Sequence, residues 1–518
     1  MPAKLIKKGS QMSVFLRRSC GAALAYAVVA NGALADVTAN DIWDDWQAYL
    51  TQMGYTVSGD QAISGAVTTI TDMTVSMELP EEEGQFQFVV PQMTLIENGD
   101  GTVNVDLPES LPMTVSGELD GDAFSVNVVQ TQSGLNMVVS GTPDDMTYDY
   151  TADSLGLKLD KLEVEGETSQ DDVLAANLEM TDLAGSSRMK IGENRDVDQE
   201  FTADDLTYSM AFQDPEGEDD AKFDGSMKQL AFEGNSVIPS NFDAADPQSF
   251  MANGFAFSGV FTIASGMTTV AGTSEGEAFS MASESEGGRF GASIDTQRLA
   301  YDIEQNRTKL AITTADLPFP IEIAMARAGL KFEFPVQESE EIQPFGFAMN
   351  LTDFTMSDVL WSIFDPAGTL PRDPATIALD STGTAKVLTN IFDPVAVEAL
   401  ENSDEAPGEL HSLKINELLV SLVGAKLSGD ADFAFDNSNT EEFDGMPTPS
   451  GVANLQLDGA NALLDKLIGV GLVSENDALG ARMMMGLMAV PGEEPDTLKS
   501  KIEFTEDGQI LANGQRLK

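Results

Sequence analysis

The amino-acid sequence predicts a mainly β, α+β fold: a long antiparallel sheet with an N-terminal cap helix and a C-terminal helix-pair plus strand-meander unit. Three observations support this prediction. Apolar and polar residues alternate with period two from about residue 59 to residue 336, which is typical of antiparallel strands with one face in water. One helix with a wide apolar face precedes this region, and sharp helix, turn and strand signals follow one another in residues 451–518.

Residues 1–35 have the pattern of an export signal and not of a folded element. The signal contains five basic residues: Lys4, Lys7, Lys8, Arg17 and Arg18. Ala33 and Ala35 form an A-x-A cleavage signature after a run of small apolar residues that is too short to cross a bilayer. We therefore expect a Sec-type signal peptide cleaved after Ala35, a periplasmic protein that begins at Asp36, and no transmembrane segment in the mature chain.

Composition limits both the partners and the chemistry. The chain has 85 acidic and 28 basic residues, a net charge of −57. Cleavage after Ala35 removes five basic and no acidic residues, which changes the net charge to −62. Such a charge argues against a nucleic-acid partner and against docking on anionic lipid. The single cysteine, Cys20, lies in the predicted signal, so disulfides, thiol catalysis and thiolate metal sites are excluded for the mature chain.

Residues 36–55 predict the cap helix. Thr38 is its N-cap candidate, Asp41 follows three residues later, and Gly54 ends the pattern. The apolar face of this helix consists of Ile42, Trp43, Trp46, Tyr49, Leu50 and Met53. We expect the helix to dock on the sheet as a plug; a lid over an aromatic ligand is the alternative.

The chain is divided by one polar, proline-containing stretch. Residues 36–336 predict the helix and an antiparallel β domain, residues 337–344 a linker, and residues 345–518 a C-terminal α+β domain. A sheet as long as the one predicted in the first domain either curls on itself or forms an open groove. Acidic stretches at 81–83 and 216–220 do not fit the spacing of a calcium loop, so we interpret them as solvated turns.

The last block predicts two short helices and a strand meander. Asn461 is the cap candidate of the first helix, and Ser474 with Asp477 has capping-box spacing at the second. The connection between the helices is short, which predicts an antiparallel pair. Asp507-Gly508 and Asn513-Gly514 then mark two hairpin turns.

The second of these helices carries the candidate apolar ligand face of the protein. This face consists of Met483, Met484, Met485 and Met488. Methionine fills gaps in cores, and it also lines surfaces that accept varied apolar ligands. Core packing is the commoner use of such an apolar stripe, and the sequence leaves both interpretations open.

Motifs that suggest catalysis lack the surroundings that their chemistry needs. Residues 272–276 fit G-x-S-x-G, but a polar turn between strands replaces the strand and helix of a nucleophile elbow. Residues 187–190 fit S-x-x-K within a predicted strand. His411 is the only histidine, so a Ser-His-Asp enzyme would depend on it. We therefore assign no catalytic, cofactor-binding or metal-binding residue.

Four segments resemble an exported proteobacterial family known as domain of unknown function 2125. They are PRDPAT at 371–376, FDGMP at 443–447, GARMMMG at 480–486 and DGQILANGQR at 507–516. The resemblance implies a periplasmic location in a Gram-negative cell and carries no activity or catalytic residues. More loosely, the long sheet with its closing unit is similar to envelope proteins whose β-grooves handle lipids.

These observations favour an exported, non-catalytic binding or scaffolding protein of the cell envelope. Its expected partner is an apolar ligand such as a lipid, or another envelope protein. The alternative is a carboxylate-dependent envelope enzyme such as a glycan hydrolase. A close pair of inward-facing carboxylates in a cleft would favour the enzyme, whereas an apolar groove without titratable groups would favour lipid handling.

Overall fold

A computed structural model describes most of the chain after the predicted signal. The described residues are 36–78, 84–119, 122–164, 167–168, 174–214, 219–242, 247–401, 403, 406–440, 443 and 446–517. The predicted signal, its cleavage site, the acidic residues 81–83 and most of the acidic stretch at 216–220 lie outside them. Within these ranges the chain forms six helices and one 27-stranded sheet whose pairings are antiparallel. The predicted fold class is therefore confirmed.

One helix precedes the sheet, and the other five lie in four of its connections. They are α1 (Ala39–Gln52), α2 (Pro247–Ala252), α3 (Asp358–Phe364), α4 (Pro394–Glu401), α5 (Ala460–Gly469) and α6 (Glu475–Met488). Thr38 caps α1 as predicted and forms a capping box with Asp41. Ser474 accepts a hydrogen bond from the backbone N–H of Asp477 at the start of α6, as predicted.

The predicted cap of α5 is wrong. Gly459, in the left-handed region at φ 74°, occupies the N-cap position, and Asn461 lies inside the helix. The carboxylate of Asp496 accepts hydrogen bonds from the backbone N–H groups of Asn461 (3.1 Å) and Ala462 (2.9 Å). The helix is thus capped by a residue about 35 positions later in the chain, a contact that local sequence spacing does not show.

The first eleven strands build one end of the sheet. They are β1 (Thr56–Ser64), β2 (Val67–Glu78), β3 (Gly84–Glu97), β4 (Val103–Asp106), β5 (Ser110–Leu119), β6 (Asp122–Ser133), β7 (Asn136–Thr142), β8 (Asp145–Val164), β9 (Glu167–Thr168), β10 (Leu174–Ile191) and β11 (Asn194–Gln213). Between β3 and β8 the sheet is split. The short strands β4 and β7 bridge one half of these two long strands, and β5 and β6 bridge the other half.

Six of the next eight strands, β12–β17, repeat this arrangement. The eight strands are β12 (Asp220–Pro239), β13 (Ala256–Ile263), β14 (Ser265–Ser274), β15 (Glu277–Ser285), β16 (Gly288–Ile294), β17 (Arg298–Thr314), β18 (Ile321–Pro335) and β19 (Gln343–Met356). Strands β13 and β16 bridge one half of β12 and β17, and β14 and β15 bridge the other half. We call β3–β8 module A and β12–β17 module B.

The sequence also repeats between the two modules. Residues 114–125, TVSGELDGDAFS, and residues 269–280, TVAGTSEGEAFS, are identical at seven of twelve positions and occupy the β5–β6 and β14–β15 hairpins. Tyr148 of β8 and Tyr301 of β17 are each followed by Asp and pair with Val139 and Ala292, respectively. Shared topology and shared residues together indicate two copies of one arrangement.

The remaining strands continue the sheet to the C-terminus. They are β20 (Ala375–Val387), β21 (Gly408–Leu422), β22 (Ala425–Asp436), β23 (Thr448–Asp458), β24 (Val490–Pro491), β25 (Thr497–Phe504), β26 (Ile510–Ala512) and β27 (Gln515–Arg516). Strands β18 and β19 pair with each other across residues 337–344. The predicted linker therefore lies inside one sheet and inside one compact unit, Asp36–Lys518.

A crease runs across the middle of the long strands. Five non-glycine residues there have positive φ, an uncommon conformation for such residues: Asp72, Asp182, Gln229, Arg307 and Asp353. Within each half of a strand, apolar side chains recur every two residues. Across the crease they are three residues apart, as in Met180 and Leu183. They therefore stay on one face.

Burial shows which way the sheet bends. The apolar residues at the crease are buried: Ala152, Leu183, Ala203 and Leu230. Side chains from both halves of the strands pack against them, for example Met180 and Leu206 from one half and Tyr150 and Phe201 from the other. The sheet is thus concave on its apolar face, and its two halves form the walls of a trough.

Candidate functional site

One wall of the trough carries an apolar row that continues from strand to strand. From β12 to β20 each member lies directly opposite the next one on the neighbouring strand: Phe232, Phe261, Phe290, Ile303, Leu330, Met349 and Leu379. Opposite residues of an antiparallel pair share a face. Neighbouring strands lie about 4.8 Å apart, so the six steps of this row span about 29 Å.

Aromatic rings reinforce this row. The ring centroids of Tyr301 and Phe332 are 5.0 Å apart, and those of Phe334 and Phe345 are 5.9 Å apart in a stacked arrangement. The row is nevertheless open to solvent, because Phe290 is 44% exposed and Ile303 is 37% exposed. Contiguous apolar surface of this extent is uncommon on soluble monomers and is typical of binding sites.

The other wall is apolar as well. Phe223 of β12 pairs with Val270, Val270 with Met281, and Met281 with Ile312. These side chains lie on the same face as Met227, which packs against the crease. We call the part of the trough formed by module B with β18, β19 and β20 the open segment.

Module A has the same two walls, but α1 covers one of them. The residues that correspond to the row in module B are Leu95, Val105, Met137 and Tyr150. Leu95 and Val105 are at most 1% exposed, Met137 and Tyr150 are half-buried, and Val139 and Tyr148 in the adjacent row are at most 4% exposed. Ile42 and Trp43 of α1 belong to the same buried cluster, and Trp46 packs against it. The prediction that α1 docks on the sheet as a plug is confirmed.

Polar contacts anchor α1 in place. Arg195 of β11 donates two hydrogen bonds to the carboxylate of Asp45, at 2.5 and 3.0 Å, and both side chains are about nine-tenths buried. The Arg195 guanidinium also lies 4.6 Å from the ring centroid of Tyr49. The indole N–H of Trp46 donates to the Tyr148 hydroxyl at 3.0 Å, and burial raises the pKa of Tyr148 to about 12. The phenol therefore remains a neutral acceptor.

The floor of the open segment contains two hydroxyl groups. Thr308 and Ser285 are each 8% exposed. They lie side by side, because Glu284 and Lys309, their neighbours in the chain, are paired across β15 and β17. The Thr308 hydroxyl is buried without a hydrogen-bond partner among the described atoms.

Module A has different chemistry at the corresponding positions. Counting seven residues on from Tyr148 and from Tyr301 places Leu155 at the position of Thr308. Leu155 pairs with Gln132, whose amide donates to the carbonyl oxygens of Leu107 (3.2 Å) and Pro108 (2.7 Å). The polar group at the crease is therefore satisfied in module A, whereas the Thr308 hydroxyl is unsatisfied in module B.

The methionine face lies far along the chain from this segment, on α6. Met483 and Met484 are 70% and 58% exposed, Met488 is also exposed, and Met485 is half-buried. The carbonyl oxygen of Met488 accepts hydrogen bonds from Ser500 (2.6 Å) and Asn513 (3.0 Å), which tie the end of α6 to β25 and to the turn between β26 and β27. Core packing is therefore wrong for Met483 and Met484, and ligand binding by this face stays a prediction.

The catalytic motifs have no catalytic geometry. Residues 272–274 end β14, and Glu275 (φ 53°) and Gly276 (φ 81°) form its turn to β15. Ser187 and Lys190 are three residues apart on the strand β10, so they point to opposite faces. The Nε2 atom of His411 is 3.6 Å from the Glu409 carboxylate and makes no hydrogen bond, so it does not activate a serine.

The described residues contain neither a metal-ligand cluster nor a membrane-spanning helix. Among the described residues, no three His, Cys, Asp or Glu side chains come together as a metal ion would require. None of the helices in these residues has the length and apolar character needed to cross a bilayer. In comparisons with known proteins, no family model, no curated protein and no solved structure matches this chain.

Proposed function

We propose that this protein is a periplasmic, non-catalytic binding protein of the cell envelope that holds an acyl-chain lipid in the open segment of its trough. The observation that carries this proposal is the continuous apolar row, with Phe290 and Ile303 substantially exposed. Its length of about 29 Å is close to the roughly 30 Å hydrocarbon thickness of a bilayer, which two acyl chains fill end to end. An extended acyl chain therefore fits along the row.

The lining of the trough favours binding over hydrolysis. A glycan hydrolase needs two carboxyl groups about 5–9.5 Å apart that face the substrate. The paired row from Phe232 to Leu379 contains no Asp or Glu, and neither does the row from Phe223 to Ile312 on the other wall. A surface of this composition supports apolar contact and no acid–base chemistry.

Two variants of one strand test this proposal. Met281 lies on the trough face of β15, opposite Val270 and Ile312, whereas Ser280 lies on the outer face, opposite Ala271 and Thr313. Met281→Glu places a carboxylate against the bound chain, so we expect it to weaken binding of a neutral fluorescent alkyl probe at least roughly tenfold. Ser280→Glu adds the same charge outside the trough and should bind the probe like the parent.

The measurement uses protein purified from the periplasm, stripped of lipid and titrated with the probe. N-terminal sequencing of the same material should find Asp36 first, and the melting temperature reports whether each variant is folded. Lipid extracted before stripping is identified by mass spectrometry. Equal probe binding by the two folded variants, or no binding by the parent, would refute an acyl site in the trough.

A further inference from the structure

We propose that Thr308 binds the carbonyl oxygen of an ester-linked acyl lipid, so that the ligand of the open segment is an acyl ester and not a plain hydrocarbon or a fatty-acid anion. This inference rests on the function proposed above. It starts from a hydroxyl group that is buried on the trough floor without a partner. Buried polar groups in folded proteins are nearly always hydrogen-bonded, so an unpaired one needs an explanation.

The duplication shows that the fold does not need this hydroxyl. Leu155 occupies the corresponding position in module A, under the same arrangement of strands. An apolar side chain at the crease is thus compatible with the sheet and removes the unsatisfied group. The threonine is present in the module that is open to a ligand and is replaced by leucine in the module that α1 closes.

The surroundings indicate a neutral acceptor. A threonine hydroxyl has one hydrogen to donate, and Ser285 provides a second hydroxyl on the adjacent strand. A carboxylate would need a cation to offset its burial. Two basic residues flank Thr308 in the chain. Lys309 lies opposite Glu284 and points to the outer face, and Arg307 forms an ion pair with Glu286. An ester carbonyl needs only the hydrogen bond.

The trough is long enough for one acyl chain on either side of Thr308. Thr308 lies on β17, three strand spacings from β12 through β16 and β13, and three from β20 through β18 and β19. Three spacings are about 14 Å, close to half of a roughly 30 Å bilayer core, which is the length of one acyl chain. A carbonyl at Thr308 therefore leaves room for its chain in either direction.

Replacement by an isosteric residue tests the assignment. The probes are a 1-acylglycerol and the 1-alkylglycerol ether of equal chain length, which lacks the carbonyl; each competes with the neutral fluorescent probe. We expect the parent protein to bind the ester roughly five- to tenfold more tightly than the ether, the contribution of one hydrogen bond. Thr308→Val should lose this preference while its affinity for the ether stays unchanged.

The control is Thr313→Val, on the same strand but on the outer face, opposite Ser280; it should keep the preference for the ester. The melting temperature of lipid-free Thr308→Val should equal or exceed that of the parent, because the change removes an unpaired buried hydroxyl. A parent without ester preference, or a Thr308→Val variant that retains it, would overturn the role of Thr308. Failure of both lipids to displace the probe would instead refute the acyl site itself.

Discussion

Modules A and B are the same arrangement of strands in two different states of closure. In module A, α1 covers the apolar wall, and Leu95, Val105 and Val139 are almost completely buried. In module B no such helix lies over the corresponding wall among the described residues, and Phe290 is 44% exposed. In both copies the fold requires cover for an apolar wall. What supplies that cover differs between the copies.

The side chains of the two corresponding walls also differ in size. Leu95 and Val105 of module A correspond to Phe232 and Phe261 of module B, because each pair occupies the same place in the strand pairing. Larger aromatic side chains fill part of the space that a helix about 10 Å wide takes up in module A.

The strongest test of this comparison exchanges the two matched tyrosines for alanine. Tyr148 is buried under α1 and accepts a hydrogen bond from Trp46, so Tyr148→Ala should lower the free energy of unfolding by about 3–5 kcal/mol. Tyr301 is only half-buried in the open segment, so Tyr301→Ala should cost about 1–2 kcal/mol. Urea unfolding of lipid-free protein measures both values. Equal losses would mean that the two modules are covered to the same degree.

A second test releases the plug. Arg195→Ala leaves the buried Asp45 carboxylate without its partner, which should cost about 3–5 kcal/mol. The double variant Asp45→Asn with Arg195→Met removes both charges and should recover part of this loss. Proteolysis near residue 39 should increase in the single variant. A single variant as stable as the parent would show that the ion pair does not hold α1.

The smallest expected effect concerns α6. Met483 is 70% exposed, so Met483→Gln should change the free energy of unfolding by no more than about 0.5 kcal/mol. Lipid that co-purifies with the native protein is measured on the same samples. Retention of lipid is expected if the trough is the binding site, whereas its loss at unchanged stability would move the site to the methionine face.

The fold class could be predicted because its signals are local. Alternation with period two identifies strands, and short spacings such as Thr38 to Asp41 and Ser474 to Asp477 locate helix starts. The cap of α5 could not be predicted in this way, because Asp496 reaches it only through tertiary structure. The same limitation hid the candidate site, since Phe232, Phe261 and Phe290 form one row only after non-adjacent strands pair.

One signal of the site was nevertheless present in the sequence. Comparison of the chain with itself at an offset of 155 aligns residues 114–125 with residues 269–280 and reveals the two modules. Thr308, by contrast, could not be recognised from the sequence, because its interest depends on burial and on a missing partner. Local pattern thus predicts elements, whereas the site is a property of the assembled sheet.

The order of strand pairing also has a consequence for how this chain acquires its structure. In the described residues, the most distant partners in the sheet, Asp220 with Thr273 and Gly451 with Phe504, are only 53 positions apart. A chain with such local contacts has a low relative contact order for its size, which favours rapid, stepwise growth of the sheet from one end. Each newly added strand leaves one unpaired edge until the next strand arrives.

The contacts of α1, at the start of the described chain, are not local in this way. Asp45 is 150 positions from Arg195, and Gln52 reaches the carbonyl oxygen of Pro239, 187 positions away. The segment that is synthesised first therefore docks only after the strands of module A and β10 to β12 are in place. Until then its two tryptophans remain exposed to other hydrophobic surfaces, so we expect this early interval to be the stage at which the nascent chain is most prone to aggregate and most in need of a chaperone.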